Sequence, residues 1–181
     1  MRDRYDEIYR AYRWDVPARY NMARACCGQW AEDRARFALY WEDESGAASA
    51  WSFWDVQQAA NRLSNALAAL GVKPRDRVAI LLPQRPETAI AYIAIFQMGA
   101  IALPLSHLFG PEALEYRLNH AGASVAIVEP ATIANLWAIR DRLPGLRQVI
   151  GVAGAAKPAR APGVDARVLR KPWLENRIVI R

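Results

Sequence analysis

Residues 71–129, GVKPRDRVAILLPQRPETAIAYIAIFQMGAIALPLSHLFGPEALEYRLNHAGASVAIVE, contain the pattern that decides the fold. Short apolar runs typical of buried strands, at Val78–Leu82, Ile101–Pro104 and Ser124–Val128, alternate with longer runs typical of helices. Strands that are joined by helical crossovers pair in parallel, with right-handed connections. The stretch therefore predicts a three-layer α/β fold, a mostly parallel sheet with flanking helices.

The helices of this stretch have recognisable ends. Pro86 and Pro111 each stand where a first helical turn tolerates proline, and Gly122 stands where a helix commonly ends. After the stretch we expect a fourth helix over residues 133–143 and a further strand over residues 147–152. The region thus divides into alternating strands and helices of ordinary length.

A β-hairpin and a long helix are predicted before this stretch. Phe37–Trp41 and Ala50–Trp54 are strand-like runs that turn residues separate. Ser52 and Asp55 have the spacing of a helix capping box, with Asp in place of the usual Glu or Gln. The apolar stripe of the helix consists of Val56, Ala59, Ala60, Leu63, Ala66, Leu67 and Leu70. Gly71 follows at a typical C-terminal glycine position, so we expect the helix to end there.

Length and composition indicate one folded domain. The chain has 181 residues, 53% of them hydrophobic, and this balance is not that of a disordered protein. Cys26 and Cys27 are the only cysteines, and adjacent cysteines rarely reach good disulfide geometry. We therefore expect a reduced, cytoplasmic protein.

One apolar stretch, Thr88–Leu103, is short for a membrane span, which needs about 20 residues. Gln97 and Gly99 also interrupt it. We interpret it as a buried helix, a glycine stop and a buried strand, and expect no transmembrane segment. The charged start of the chain is not that of a secretory signal either.

The net charge of +6 is concentrated near the C-terminus. Residues 156–181 contain seven Lys or Arg against two acids, so they carry +5 and residues 1–155 carry +1. Such a tail could bind nucleic acid non-specifically, but no recognised motif accompanies it, and we regard this function as disfavoured. Composition divides the chain into an N-terminal segment (1–36), an α/β subdomain (37–152) and a basic tail (153–181).

Few residues could carry chemistry. His107 and His120 are the only histidines, whereas a metal site needs several convergent ligands. Ser106 is a neighbour of His107 in sequence only, whereas catalytic triads are defined by their arrangement in space. Cys26 or Cys27 as a nucleophile lacks an identifiable base. We therefore predict no catalytic, cofactor-binding or metal-binding residue in this chain.

Three further patterns have structural interpretations that we prefer. Gly151–Gly154 leads into prolines instead of a helix, which disfavours a phosphate loop. Glu112, Glu115 and Arg117 are typical of a solvated helix face. A group of tryptophans could form a binding platform, although alternation in a hairpin favours core packing. They are Trp30, Trp41, Trp51 and Trp54.

Ordered motifs over roughly residues 14–152 resemble one family. They are YRWDVPARYNMARACCGQWA at 12–31, the run from ARFALYWEDESG to LLPQRPE over 35–87, and PLSHLFGPEALEYRL at 104–118. These motifs resemble the start of the adenylate-forming acyl-CoA synthetases, in the AMP-dependent synthetase/ligase family, of acetyl-CoA-synthetase-like or medium-chain type. The resemblance implies the N-terminal part of that fold, truncated before the phosphate loop.

The resemblance also implies a chemistry for the full-length family member. Such enzymes join a carboxylic acid to AMP with ATP and Mg²⁺, and then pass the acyl group to coenzyme A. The family's phosphate loop, Tyr-Gly-x-Thr-Glu segment, ribose-binding Asp, hinge and catalytic Lys have no counterpart in this sequence. We therefore expect this chain alone to bind none of these cofactors and to be inactive.

Two departures from the family pattern stand out. Arg75 occupies a position where relatives usually have glycine. After about residue 155 the pattern gives way to an aperiodic Arg/Pro/Ala-rich sequence. We interpret that tail as the product of a frameshifted or truncated gene, with a genuine basic linker as the alternative.

Two functions from different classes remain open. The first is a fragment of an acid–CoA ligase that is inactive alone. The second is a non-catalytic interaction module that complements or regulates a separate synthetase chain. The expected partner is the missing C-terminal remainder or a paralogous synthetase, and not a membrane. Residues 37–54 would leave free sheet edges, so self-association through those edges is also expected.

Overall fold

The computed structural model describes residues 4–152 and the backbone of residues 179–180. Its strands, in chain order, are β1 Phe37–Glu42, β2 Ala48–Ser52, β3 Arg77–Leu81, β4 Ile101–Pro104, β5 Ala123–Val128, β6 Gln148–Gly151 and β7 Val179–Ile180. Its helices are α1 Tyr5–Ala11, α2 Met22–Cys26, α3 Phe53–Ala69, α4 Pro86–Gln97, α5 Pro111–Ala121 and α6 Pro130–Trp137. Short 3₁₀ turns cover Gly28–Trp30 and Arg140–Arg142.

Two sheets organise the described residues. β1 and β2 form an antiparallel hairpin, and the other strands form one sheet in the order β4-β3-β5-β6-β7. β3, β4, β5 and β6 run parallel, whereas β7 is antiparallel to β6. The predicted parallel α/β sheet and its hairpin are confirmed, and β6 is the strand expected over residues 147–152.

The sheet is covered by helices on both faces, which confirms the three-layer prediction. Val78 and Ile80 of β3 belong to a core cluster with α3 and α4. Ala79 and Leu81 belong to a second cluster with α5 and α6. Because successive strand residues point to opposite faces, β3 contributes to both cores at once.

The start of α3 follows the predicted capping box. The Asp55 backbone N–H donates to the Ser52 hydroxyl at 3.2 Å, and the Ser52 backbone N–H donates to the Asp55 carboxylate at 3.0 Å. The helix therefore begins at Phe53, and β2 ends at the cap, two residues earlier than predicted. The shorter Asp side chain thus completes the reciprocal pair that Glu or Gln usually forms.

A polar contact fixes α3 against α4. The Ser64 hydroxyl, which is buried, donates to the Ala94 carbonyl oxygen at 2.9 Å. The Gln97 amide hydrogen-bonds to the same hydroxyl, and the Gln57 amide donates to the Gln97 side-chain oxygen at 2.9 Å. Gln97, which interrupts an apolar stretch of sequence, therefore has a structural role between two helices.

The apolar stretch at residues 88–103 differs in part from its prediction. α4 is a buried helix and Gly99 adopts a left-handed conformation with φ of 70°, both as expected. β4, however, is an edge strand and not a buried one, since Ile101 is 48% exposed. Apolar composition indicated a strand, but only the strand order decided that one side of β4 has no neighbour within the described sheet.

The free edge of β4 has a built-in interruption. Ile101 donates its backbone N–H to the carbonyl oxygen of Asp76, just before β3, at 2.8 Å, and Leu105 donates to that of Ile80 in β3 at 3.0 Å. The residues between these donors point their backbone groups away from β3, toward the free edge, and Pro104 is one of them. Because proline has no N–H, this edge lacks a donor that an added strand would need.

The end of α6 is a second correction. A helix over residues 133–143 was predicted, but α6 covers Pro130–Trp137 and a separate turn covers Arg140–Arg142. Ile139 leaves the helical conformation with φ of −118°, yet it stays buried. The apolar spacing was correct, and a helix followed by a turn satisfies it as well as one continuous helix.

No helix among the described residues could cross a membrane. None of their helices combines the length and the apolarity that a bilayer span requires. The most apolar one, α4, has 12 residues.

Arg75 adopts a backbone conformation that suits glycine. Its φ is 71°, the one positive value among the described non-glycine residues. Its backbone N–H donates to the Gly99 carbonyl oxygen at 2.8 Å, which ties the turn before β3 to the turn before β4. The backbone of Arg75, a residue that departs from the family pattern, is therefore strained, because a left-handed conformation costs a residue with a side chain about 1–2 kcal/mol.

Replacing Arg75 with glycine should raise the free energy of unfolding by about 0.5–1 kcal/mol. Glycine removes the steric penalty, although its greater freedom in the unfolded chain offsets part of the gain. Urea denaturation followed by circular dichroism measures the change. Lys73→Gly in the same turn is the control and should lower stability; a gain from Lys73→Gly equal to that from Arg75→Gly would contradict the assignment of strain.

Candidate functional site

A cleft of about 370 Å³ lies at the carboxyl ends of β3 and β4, beside the start of α4. Its apolar walls are formed by Ile80, Leu82, Pro83, Tyr92, Pro104 and Leu105. Its polar groups come from Gln84, Thr88, Ser106 and His107. Crevices at this end of a parallel sheet are where α/β proteins commonly bind ligands, so the cleft is the candidate site.

The polar groups of the cleft are engaged locally. The Thr88 hydroxyl donates to the Pro83 carbonyl oxygen at 2.6 Å, and the Ser106 hydroxyl accepts from the Leu108 backbone N–H at 3.2 Å. His107 is exposed at the rim. The apolar floor suits a small, mostly apolar ligand group, and no Lys or Arg lines the cleft to bind a phosphate chain.

The crossover connections define a second feature of the carboxyl edge. α4 leads from β3 to one side of the sheet, and α6 leads from β5 to the other side. In such sheets, the loops that follow two neighbouring strands turn in opposite directions at one point, and the crevice between these loops commonly holds a nucleotide. In this protein, β3 and β5 are those two strands.

An ionic cluster of Arg85, Glu87 and Glu129 occupies this switch point. The Arg85 guanidinium lies 2.7 Å from a Glu87 carboxylate oxygen and 3.9 Å from a Glu129 carboxylate oxygen. The three side chains are only 20%, 15% and 13% exposed, in that order. Two carboxylates against one guanidinium leave a net charge of −1, which disfavours a phosphate group at this point.

Sequence reasoning did not identify this cluster. In the sequence, Glu87 has a simple explanation as an acid in the first turn of a helix, and Glu129 shows no signal. The one hint in the sequence is the position of Arg85 between Pro83 and Pro86, just after a buried strand, because a charged side chain that is buried there needs a partner.

Replacing Arg85 with Met should cost about 2–3 kcal/mol of unfolding free energy, since it leaves two largely buried carboxylates without their guanidinium. Glu129→Gln is the matched control, because it keeps the 2.7 Å pair between Arg85 and Glu87. It should cost about 1 kcal/mol or less. Equal losses for the two variants in thermal or urea unfolding would contradict the cluster as described.

The two cysteines have different environments. Cys26 is exposed, whereas Cys27 is 1% exposed in the core that α3 and α4 form. Burial, and to a lesser extent the neighbouring Cys26, raises the pKa of Cys27 from 9.0 to about 11. A buried thiol that stays protonated is a poor nucleophile, so Cys27 acts in packing.

A thiol-reactive disulfide such as DTNB should titrate one cysteine, Cys26, in the native protein at pH 8. Cys27 should react only after unfolding, because it is buried and protonated. Cys26→Ala should then show almost no native reactivity. The protection of Cys27 implies a stabilising contribution that is complete below about pH 9 and lost between about pH 9 and 11. Two rapid equivalents in the native wild type would contradict this arrangement.

The other residues that the sequence singled out lie apart from the cleft. His120, in the last turn of α5, stacks on Tyr116 with ring centroids 5.5 Å apart. Glu115 pairs with Arg142 at 2.9 Å, and the Arg117 guanidinium lies 4.2 Å from the centre of the Phe109 ring. These contacts belong to the outer surface of α5 and bring no further group to the site.

The tryptophans contact the rest of the fold in separate places. Trp51 packs against the core of α3 and α4, and the Trp41 indole N–H donates to the Gln84 carbonyl oxygen at 3.1 Å. Trp30 and Trp54 each lie under an arginine. They form no common platform, and the Trp41 contact attaches the hairpin to the carboxyl edge of the sheet.

The described residues contain no cluster of potential metal ligands. Within that part of the chain, no three His, Cys, Asp or Glu side chains converge as a metal site would need. Gly151 is the last residue of β6 and Val152 follows it, whereas residues 153 and 154 of the glycine pattern lie outside the described residues. Residues 153–178, on which the interpretation of the tail rests, also lie outside the described residues.

The sequence profile of the AMP-binding enzyme family matches residues 27–173. The chain belongs to this family. An acetyl-coenzyme A synthetase of Streptomyces coelicolor is 32% identical over 171 residues, which are 93% of this chain and 23% of that protein. A 3-hydroxypropionyl-coenzyme A synthetase of Sulfurisphaera tokodaii is 34% identical over 143 residues, 78% of this chain and 21% of that protein.

Solved structures agree with the fold. An acyl-CoA synthetase of Brucella canis superposes with a TM-score of 0.75 at 24% identity, covering 88% of this chain and 30% of that one. An anthranilate CoA ligase in complex with anthranoyl-AMP gives 0.69 at 28% identity, with 76% and 26% covered. The α/β fold of the acyl-CoA synthetases and the resemblance to them are thus confirmed. The chain spans less than a third of each of these relatives.

The extent of the family match bears on the tail. The matched range continues past residue 152 as far as residue 173. Beyond it, β7 at residues 179–180 pairs with β6, with Ile180 opposite Val149. The interpretation of the tail as the product of a frameshifted or truncated gene, with a genuine basic linker as the alternative, stays a prediction.

Proposed function

We propose that this chain supplies the first α/β unit of an ATP-dependent acid–CoA ligase. The observation that carries the proposal is the family match over residues 27–173 together with relatives that are acid–CoA ligases. In the proposed reaction a carboxylate displaces pyrophosphate from ATP to give an acyl-adenylate. The thiol of coenzyme A then displaces AMP to give the acyl-CoA.

A short acyl group is the proposed substrate class. The relatives act, by their names, on acetate and 3-hydroxypropionate, which are small acids. The cleft of about 370 Å³ at the carboxyl edge has a mostly apolar lining and is open to such a group. The free thiols of Cys26 and Cys27 support a reducing compartment, and we propose the cytoplasm.

The described residues do not fit ATP with Mg²⁺. The switch point of their sheet holds the Arg85–Glu87–Glu129 cluster with its net negative charge, and no three potential metal ligands converge within residues 4–152. The groups that bind nucleotide and metal would therefore come from the remainder of the ligase. The contribution of this unit is a rigid sheet and one wall of the substrate region.

The exposed apolar surface supports a larger assembly. Seven large apolar side chains within the first 20 residues are between 57% and 80% exposed: Tyr5, Ile8, Tyr9, Tyr12, Trp14, Val16 and Tyr20. A stable isolated protein rarely leaves so many neighbouring aromatic residues in water. We propose that the remainder of the ligase covers this surface.

Pyrophosphate exchange into ATP in the presence of acetate, propionate or 3-hydroxypropionate tests the proposal. The isolated chain should show no exchange above background, since it lacks the groups that stabilise phosphoryl transfer. A chimera in which this chain replaces the matching segment of the Streptomyces coelicolor acetyl-CoA synthetase should be active, within about a hundredfold of the parent enzyme.

The parent enzyme with the segment deleted is the negative control and should be inactive. Exchange catalysed by the isolated chain would overturn the assignment of a non-catalytic unit. A chimera that melts cooperatively yet shows no exchange would overturn the assignment of a ligase unit.

A second candidate function is an interaction module that complements or regulates a separate synthetase. The apolar surface around α1 favours it, because the same side chains could bind another chain. Adding the isolated chain to an intact synthetase separates the two candidates. Saturable inhibition or activation would favour the module, and no effect would favour the ligase unit.

A further inference from the structure

A group of cations surrounds one carboxylate at the amino-terminal edge of the sheet. Lys73, Arg75 and Arg77 lie in and after the turn that leads into β3, and Arg147 precedes β6. All four are exposed, and Asp76 is the acid among them. This set, which we call the amino-edge patch, carries a net charge of +3.

The contacts of the patch leave its charge largely unneutralised. Arg147 lies 3.4 Å from the Asp76 carboxylate. The Arg77 guanidinium donates to the carbonyl oxygens of Ala121 and Arg75, at 2.7 and 3.4 Å, so a cation is held in place by neutral groups. Within residues 4–152 no ion pair involves the side chain of Lys73 or Arg75. A fixed excess of positive charge favours an anionic partner.

The backbone of Arg75 adds an independent observation. Its left-handed conformation would suit glycine, and an arginine there costs stability. Strained residues commonly mark functional positions, and this one carries an exposed guanidinium.

Three consecutive acids form a matching surface elsewhere on the chain. Glu42, Asp43 and Glu44 are exposed at the turn of the hairpin. Hydrogen bonds from the Ser45 hydroxyl and then from the Ala47 backbone lower the pKa of Asp43, so this carboxylate is ionised at neutral pH. No described ion pair includes these acids. This acidic turn carries a charge of −3, equal and opposite to that of the patch.

The two surfaces cannot meet within one molecule. Trp41, the neighbour of Glu42, is hydrogen-bonded to Gln84 at the carboxyl edge of the sheet, whereas the patch lies at the amino edge. The five residues of β3 alone separate the two edges by roughly 16 Å. A contact between them therefore requires a second molecule.

We propose that the amino-edge patch of one copy binds the acidic turn of a second copy. The contact is head-to-tail, so each copy offers one free surface of each sign and short chains of molecules form. It is electrostatic and weak, because exposed ion pairs each contribute little. It uses neither the apolar surface around α1 nor the sheet edge at Pro104.

Other partners fit the patch less well. The patch, as defined by its four cations and Asp76, contains no aromatic residue that could stack on bases. Ile101, which lies opposite Arg77 and is 48% exposed, is a single large apolar side chain beside the patch, and one such side chain is a small area for insertion into a bilayer. Three or four extended residues span about 10–13 Å, which matches a patch that reaches from β3 across β5 to β6.

Sedimentation velocity of the 181-residue chain at about 100 μM tests the proposal. Association is expected at 25 mM NaCl and should weaken at least about tenfold at 500 mM NaCl, since salt screens exposed charges. The patch variant Lys73→Glu with Arg75→Glu, and the turn variant Glu42→Lys with Glu44→Lys, should each be monomeric at low salt.

An equimolar mixture of the two variants should associate again, because the acidic turn of the first then meets the unchanged patch of the second. Arg19→Glu with Arg24→Glu, and Asp15→Lys with Glu32→Lys, are controls with the same changes in net charge. Both should associate like the wild type. Thermal melts by circular dichroism verify that every variant is folded, and recovery in the mixture itself requires folded partners.

Four results would overturn the proposal. They are a wild type that is monomeric at low salt, reversal variants that associate like the wild type, a mixture that stays monomeric, and controls that lose association as the reversal variants do. The chain could also bind poly(U) RNA or phosphatidylserine vesicles. If the patch variant abolished that binding without changing self-association, the partner of the patch would be the RNA or the membrane and not a second copy.

Discussion

Burial of β3 on both faces is the constraint on which the rest of the structure depends. Its residues Val78–Leu81 are each at most 2% exposed, although alternate side chains point in opposite directions. A parallel strand buried in this way needs helices on both sides of its sheet, because neither face can remain in water. α3 and α4 cover one face, and α5 and α6 cover the other. The positions of both edges of the sheet follow from this packing.

The two edges of that sheet have opposite electrostatic character. At the carboxyl edge, Arg85 is held between Glu87 and Glu129 in a largely buried cluster with a slight excess of negative charge. At the amino edge, four exposed cations stand against one acid, Asp76, which pairs with Arg147. Buried charges need partners, so the charged groups of the carboxyl edge are paired with one another. Exposed charges do not need partners, so those of the amino edge remain available to other molecules.

Local patterns in the sequence were accurate where one element decides the outcome. The capping pair of Ser52 and Asp55 fixed the start of α3, and Gly122 ends α5 in a left-handed conformation with φ of 63°. The same patterns were wrong where neighbours decide. β4 was expected to be buried and is an edge strand, and the apolar spacing after Trp137 continues through a turn instead of a helix. Hydrophobic spacing reports which residues need burial, not which element provides it.

The order and type of the elements, the parallel sheet and the family could all be predicted from the amino-acid sequence, because these depend on periodicity and on motifs in a fixed order. The contacts between distant residues could not, and they became visible with the three-dimensional fold. Arg147 reaches Asp76 across 71 residues of chain, and Arg85 reaches Glu129, because the strand order β4-β3-β5-β6 places the loops of non-consecutive strands side by side. That order results from covering both faces of β3, and no local spacing encodes it.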